Sequence, residues 1–150
     1  MANYCSNNVL FLGDPKTVNA IKELFADIER EQKRTHLYYL PDFVKDDKGY
    51  MLDISFDDQW INYESRWTPN LPLLIQFADH FKVEFISHFD EMVNGVYGEA
   101  VYHNGELKTI YRDAYEEENL AEDTELAAFR QEQKLMLEEV AKSHHNLNQR

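Results

Sequence analysis

The residues best suited to chemistry are four carboxylates gathered in one short stretch, Asp53, Asp57, Asp58 and Glu64. Carboxylates that converge on one point can hold a divalent ion, which polarises a phosphate ester and generates a nucleophilic hydroxide. This defines one reading of the chain, a small metal-dependent enzyme acting on phosphate esters. The spacing does not single that reading out, because no flanking lysine and nucleophile complete such a site. A solvated strand face and turn is the plainer account, so no metal site is assigned and no cofactor is expected. A second set, Trp60, Asn62, Glu64 and Arg66, alternates along one segment. There Arg66 offers a fork for a carboxylate or phosphate and Trp60 a stacking surface. The plainer account of this set is a Glu-Arg ladder within a sheet.

Other reactive types are scattered. His80, His88 and His103 fall on different elements and His144-His145 near the C-terminus, with no i, i+4 pair inside a predicted helix, so zinc ligation is not expected. Cys5 is the sole cysteine, which excludes an intramolecular disulfide and fits a core thiol better than a nucleophile. Gly13-Asp14-Pro15-Lys16 opens a helix after a strand but lacks the pattern of a phosphate-binding loop.

The elements that must position these residues follow from periodicity. Val9-Leu10-Phe11-Leu12 reads as a strand buried on both faces, stopped at Gly13-Asp14-Pro15. Asp14 suits the N-cap and Pro15 the first helical position, and Val18, Ile21, Phe25 and Ile28 recur at helical spacing through about Lys33. Residues 37–49 read as a linker interrupted by Pro41, with a short edge segment as the alternative within it. Leu52, Ile54 and Phe56 then alternate with polar residues. From 59 to 67, Ile61, Tyr63 and Trp67 share a core-facing side opposite Trp60, Asn62, Glu64 and Arg66, and the short connection predicts a hairpin. Asn70 is placed to cap a second helix with a stripe of Leu71, Leu74, Ile75, Ala78 and Phe81. Asn94-Gly95 and Asn104-Gly105 tolerate the positive φ of tight hairpin turns and predict a meander near 83–93, 96–103 and 106–112. Acidic residues crowd positions 113–125. Leu126, Phe129, Met136, Leu137 and Val140 then mark a last helix, with 143–150 expected to fray.

Acidic residues outnumber basic ones 28 to 15, a net charge of −13 that repels phosphate backbones and favours basic partners. Direct nucleic acid binding is therefore not expected. With 150 residues and 43% hydrophobic content, the chain can build one ordinary core. No stretch reads as a signal peptide or membrane span, which points to a cytoplasmic protein.

Strand, helix, strand, strand, helix, strand is the order of a ferredoxin-like α+β sandwich, here with an added C-terminal β-meander and a C-terminal helix. Residues 1–112 are read as that domain. Residues 113–150 are read as an acidic connector and a helix packed on the same domain, where the helix or a partner covers the second sheet face.

Asn8-Val9-Leu10-Phe11-Leu12-Gly13-Asp14, Tyr50-Met51-Leu52-Asp53-Ile54-Ser55-Phe56-Asp57, Tyr63-Glu64-Ser65-Arg66-Trp67-Thr68-Pro69 and Tyr97-Gly98-Glu99-Ala100 together resemble an uncharacterised bacterial family. It has a ferredoxin-like domain and is associated with pathogenicity islands, plasmids and conjugative elements. The resemblance covers about residues 4–112 and implies a fold and a mobile-element setting, without catalytic residues. The reading that combines these observations is a non-enzymatic module, monomer or weak homodimer, that binds a protein partner and interferes with a host process. Trp60, Asn62, Glu64, Arg66, Glu116, Glu117 and Glu118 are its candidate contacts.

Overall fold

The computed structural model describes residues 4–45, 51–91, 95–113 and 124–148. In chain order the elements are β1 (Tyr4–Leu12), α1 (Pro15–Thr35), β2 (Leu52–Asp57), β3 (Trp60–Arg66), α2 (Leu71–Phe81), β4 (Glu84–Glu91), β5 (Val96–His103), β6 (Glu106–Asp113) and α3 (Thr124–Asn148). The strands form one antiparallel sheet in the order β2-β3-β1-β4-β5-β6. Its first four positions are the ferredoxin-like core: α1 carries the chain from β1 past β3 to β2, and α2 carries it from β3 past β1 to β4. β5 and β6 extend the sheet beyond β4.

Both crossover helices bury their apolar stripes on the same sheet face. Ile21, Phe25 and Ile28 of α1 meet Leu74, Phe77 and Ala78 of α2 over Val9, Phe11, Ile61, Tyr63 and Phe85, and Val18 is buried one turn before them. The Phe25 ring centres the layer, 5.1 Å from Phe77 and 5.9 Å from Phe11. Asn7 is the polar exception: fully buried, its Nδ2 donates to the Cys5 carbonyl at 3.0 Å and to Ser65 Oγ at 2.9 Å. Ser65 in turn donates to the Thr68 carbonyl at 2.6 Å, so this chain of bonds ties β1 to the end of β3.

Local signals account for most boundaries. Asp14 Oδ1 accepts the Thr17 N–H at 3.1 Å, a cap whose loss costs about 1 kcal/mol. Asn104 and Gly105 adopt φ of 52° and 74°, the geometry of a tight hairpin turn between β5 and β6. Gly98 faces Phe89 across the β4–β5 ladder, and the Phe89 ring occupies the space a Cβ would need.

The second sheet face is covered in part by α3. Phe129 and Met136 are buried with Leu12, Ile86 and Val101, and Leu10, Trp60, Ile110 and Val140 pack around them.

Several local expectations are corrected. Trp67 does not join the core side of β3: the strand ends at Arg66, the chain turns with Trp67 at φ 70°, and its side chain is 55% exposed. Asn70 precedes α2 but makes no side-chain cap, because its backbone departs from the extended conformation a cap requires (φ −74°, ψ 57°). The α2 stripe is rotated to include Leu73 and Phe77, with Ile75 and Phe81 only partly buried. The 143–148 segment is helical, and His144 Nε2 lies 2.8 Å from the Gly13 carbonyl oxygen. Among the described residues, no helix is long and apolar enough to cross a membrane.

Candidate partner-binding site

β2 is an edge strand, and its pairing with β3 is irregular. Leu52 pairs with Glu64 and Ser55 with Asn62, with a register shift between them and Asp53 at φ 50°. A bulge of this kind re-aims a side chain. Here it brings the Asp53 carboxylate beside that of Glu64. Burial raises the Glu64 pKa above its ordinary value, and the adjacent Asp53, by its charge and by a hydrogen bond, raises it further.

These two carboxylates line a cavity of about 800 Å³. Its walls come from the C-terminal half of α1, the following loop and the starts of β1 and β2, including Tyr4, Leu37, Tyr38 and Ile54. Lys33 also lines it, held by Glu29 at 2.8 Å; this bond, with a smaller contribution from Asp53, raises the lysine pKa. At the rim, the Arg66 guanidinium lies 5.3 Å from the centre of the Tyr38 ring and donates from Nη2 to its hydroxyl. Tyr4, Leu37 and Tyr38 are 46%, 70% and 49% exposed, so the rim offers aromatic and apolar surface to solvent.

The sequence-predicted residues divide between two places. Asp53 and Glu64 come together, whereas Asp57 pairs with Trp60 and Asp58 occupies the hairpin turn, where its carbonyl accepts from Lys22 Nζ at 2.7 Å. Trp60 and Glu64 are four residues apart on one strand, about 13 Å. The four carboxylates therefore do not assemble into one metal site. Arg66 is farther still, six residues or about 20 Å from Trp60 along the strand, which undoes their pairing: Trp60 is half-buried in the α3 cluster, tilted against His88 at 5.2 Å, and Tyr38 takes its place beside Arg66. Asn62 sits mid-strand between Asn8 and Ser55. Glu116, Glu117 and Glu118 lie outside the described residues.

Residues 48–131 match the family described as the ferredoxin-like domain in Api92-like protein. The chain belongs to this family. The match starts later and ends later than the resemblance drawn from the sequence, running from the approach to β2 into the first turns of α3. It leaves out β1, which stands between β3 and β4 in the sheet. No curated protein and no solved structure matches the chain.

A second cluster escaped sequence reasoning because its members come from three elements. His103 ends β5, Glu84 begins β4, and Glu132 and Glu139 lie two turns apart on α3. His103 Nδ1 is 3.1 Å from Glu132, and its Nε2 is 3.9 Å from Glu84 and 3.7 Å from Glu139. The i, i+7 spacing of the two α3 glutamates is the only signal the sequence offered.

Proposed function

We propose that this member of the Api92-like family is a non-enzymatic binding module that takes a basic side chain of a protein partner into the Asp53–Glu64 cavity. The observation that carries the reading is the pair of adjacent carboxylates in an aromatic-rimmed cavity. A guanidinium or ammonium bridging them relieves their mutual repulsion and stacks on Tyr38 or Tyr4. The net charge of −13 steers such a partner inward. Carriage on a bacterial mobile element, interference with a host process and action in the cytoplasm belong to this proposal and rest on the family resemblance and the sequence. Trp60 drops out of the contact surface and Tyr38 enters it, beside Glu64 and Arg66.

The test is a titration with an oligo-arginine peptide, comparing a Asp53→Asn/Glu64→Gln double variant with a Asp57→Asn/Asp58→Asn double variant. Both remove two carboxylates, so general attraction to an acidic protein falls equally. Asparagine also tolerates the positive φ of Asp53 and Asp58. The cavity variant is expected to lose roughly tenfold or more in affinity, the usual worth of a charge-assisted pair. The hairpin variant is expected to retain nearly all of it. Equal losses in both would refute the reading.

A further inference from the structure

The side chains around His103 form a site of a different kind, at the other end of the sheet. Glu84 Oε, His103 Nε2 and Glu139 Oε lie within 4.8 Å of one another. We propose that they bind a divalent transition ion of the zinc class, which would staple α3 to the β4–β5 edge of the core. This inference is independent of the partner-binding reading.

The chemistry of the donors selects the ion. One imidazole nitrogen and two carboxylates, each from a different element, are a borderline donor set that suits zinc or its neighbours better than magnesium or calcium, which take oxygen alone. Three protein ligands leave a fourth position for water. The orientation of the imidazole is set from outside the ligand set. Glu132 lies 3.1 Å from Nδ1, and Lys108 Nζ holds the same glutamate at 3.1 Å. A carboxylate on Nδ1 fixes the proton there and leaves the Nε2 lone pair free, the second-shell arrangement typical of metal-bound histidine. Glu84 is oriented too: its Oε2 accepts the Asn104 N–H at 2.7 Å at the β5–β6 turn.

The ligand atoms stand wider apart than a bound ion requires, all three within 4.8 Å of one another. Ligand atoms about 2.0–2.2 Å from a tetrahedral ion sit roughly 3.4 Å apart, against 3.7 Å and 3.9 Å from His103 to the two glutamates. Rotation of the Glu139 side chain, which is 65% exposed, would close its own gap, and a side-chain shift of Glu84, 31% exposed, would have to close the other. Charge favours the same event. Glu84, Glu132 and Glu139 face His103 with Lys108 as the opposing cation, a local acidic excess that a divalent ion offsets.

Isothermal titration of the full chain with zinc chloride, after chelation and dialysis and in a His144→Ala/His145→Ala background, tests the site. The expected result is one equivalent bound, with a melting temperature that rises on addition of the ion. Glu132→Ala, which removes the outer hydrogen bond to Nδ1 together with the Lys108 ion pair, should weaken binding roughly 10–100-fold, and His103→Ala should abolish it. Because Glu139 is exposed, Glu139→Gln leaves the fold intact and should lose affinity even if His103→Ala fails to fold. Cobalt in place of zinc should give a visible absorption that disappears in Glu139→Gln. Zinc binding unchanged in Glu139→Gln, several weak equivalents in wild type, or no binding at all would each overturn the proposal.

Discussion

Replacing Tyr63 by Phe should stabilise the protein, against the usual direction of core substitutions. Tyr63 is 2% exposed, with its ring 6.4 Å from Phe25, and its hydroxyl finds no hydrogen-bond partner among the described residues. A hydroxyl buried without a partner costs about 1–3 kcal/mol in lost hydration. Removing it leaves a void smaller than a methyl group, so little is returned as a cavity penalty. The net gain is about 1 kcal/mol, which for a domain of this length raises the melting temperature by roughly 2–4 °C. Burial, and secondarily the charge on Cys5, pushes the phenol pKa above its ordinary 10.0. The folded state therefore holds a proton that the unfolded state releases, and stability attributable to this group falls as pH rises past 10.0. Phenylalanine lacks that penalty, so the variant's advantage should widen between pH 7.5 and pH 10.5. Urea unfolding followed by the fluorescence of Trp60 and Trp67 measures both gaps. A variant less stable than wild type, or an advantage that does not change with pH, would show that the hydroxyl is satisfied and the reasoning wrong.

Cys5 should resist thiol reagents. It is fully buried, and burial pushes its pKa up to about 11, so Ellman's reagent at pH 8 should react only after denaturation, and rapid labelling of the native protein would contradict the packing described. Phe129→Ala removes the largest buried side chain that α3 contributes, at a cost of about 3–5 kcal/mol. Because the cluster under α3 is distinct from the one between the sheet and α1/α2, the loss should appear as an early red shift of Trp60 emission, before the main transition. A single cooperative transition at lower urea would mean instead that the two layers unfold as one.

The fold was legible where the signal is local. Alternation in β3, the helical stripe of α1, the Asp14 cap and the paired Asn104 and Gly105 each act over a few residues, and each appears where periodicity or turn chemistry put it. Strand termination was harder. Nothing in Ser65-Arg66-Trp67 announces that Trp67 takes a positive φ, since the turn is held by the long-range link from Asn7 through Ser65 to Thr68. The candidate site was half legible for the same reason. Asp53 and Glu64 could be named from the sequence, but their meeting depends on a bulge, and Tyr38 reaches Arg66 across 28 positions. The histidine cluster required sheet order and helix placement together, which no spacing rule supplies.

The path of α3 over the second face is written along β1. On that face the strand presents Tyr4, Ser6 and Asn8, all exposed, followed by Leu10 and Leu12, which lie within the α3 cluster. The switch from polar to apolar at alternate positions of one strand marks where the helix stops, because a helix laid over Ser6 and Asn8 would strip water from them without returning apolar contact. The Asp53–Glu64 cavity opens at the uncovered end, beside Tyr4, while His103 and its glutamates lie at the covered end, with α3 supplying two of them. An ion that tightened α3 would thus leave the cavity open. Among the described residues the helix finds its core over one half of that face, and the other half holds the acidic, aromatic-rimmed end to which the proposed function assigns a basic partner.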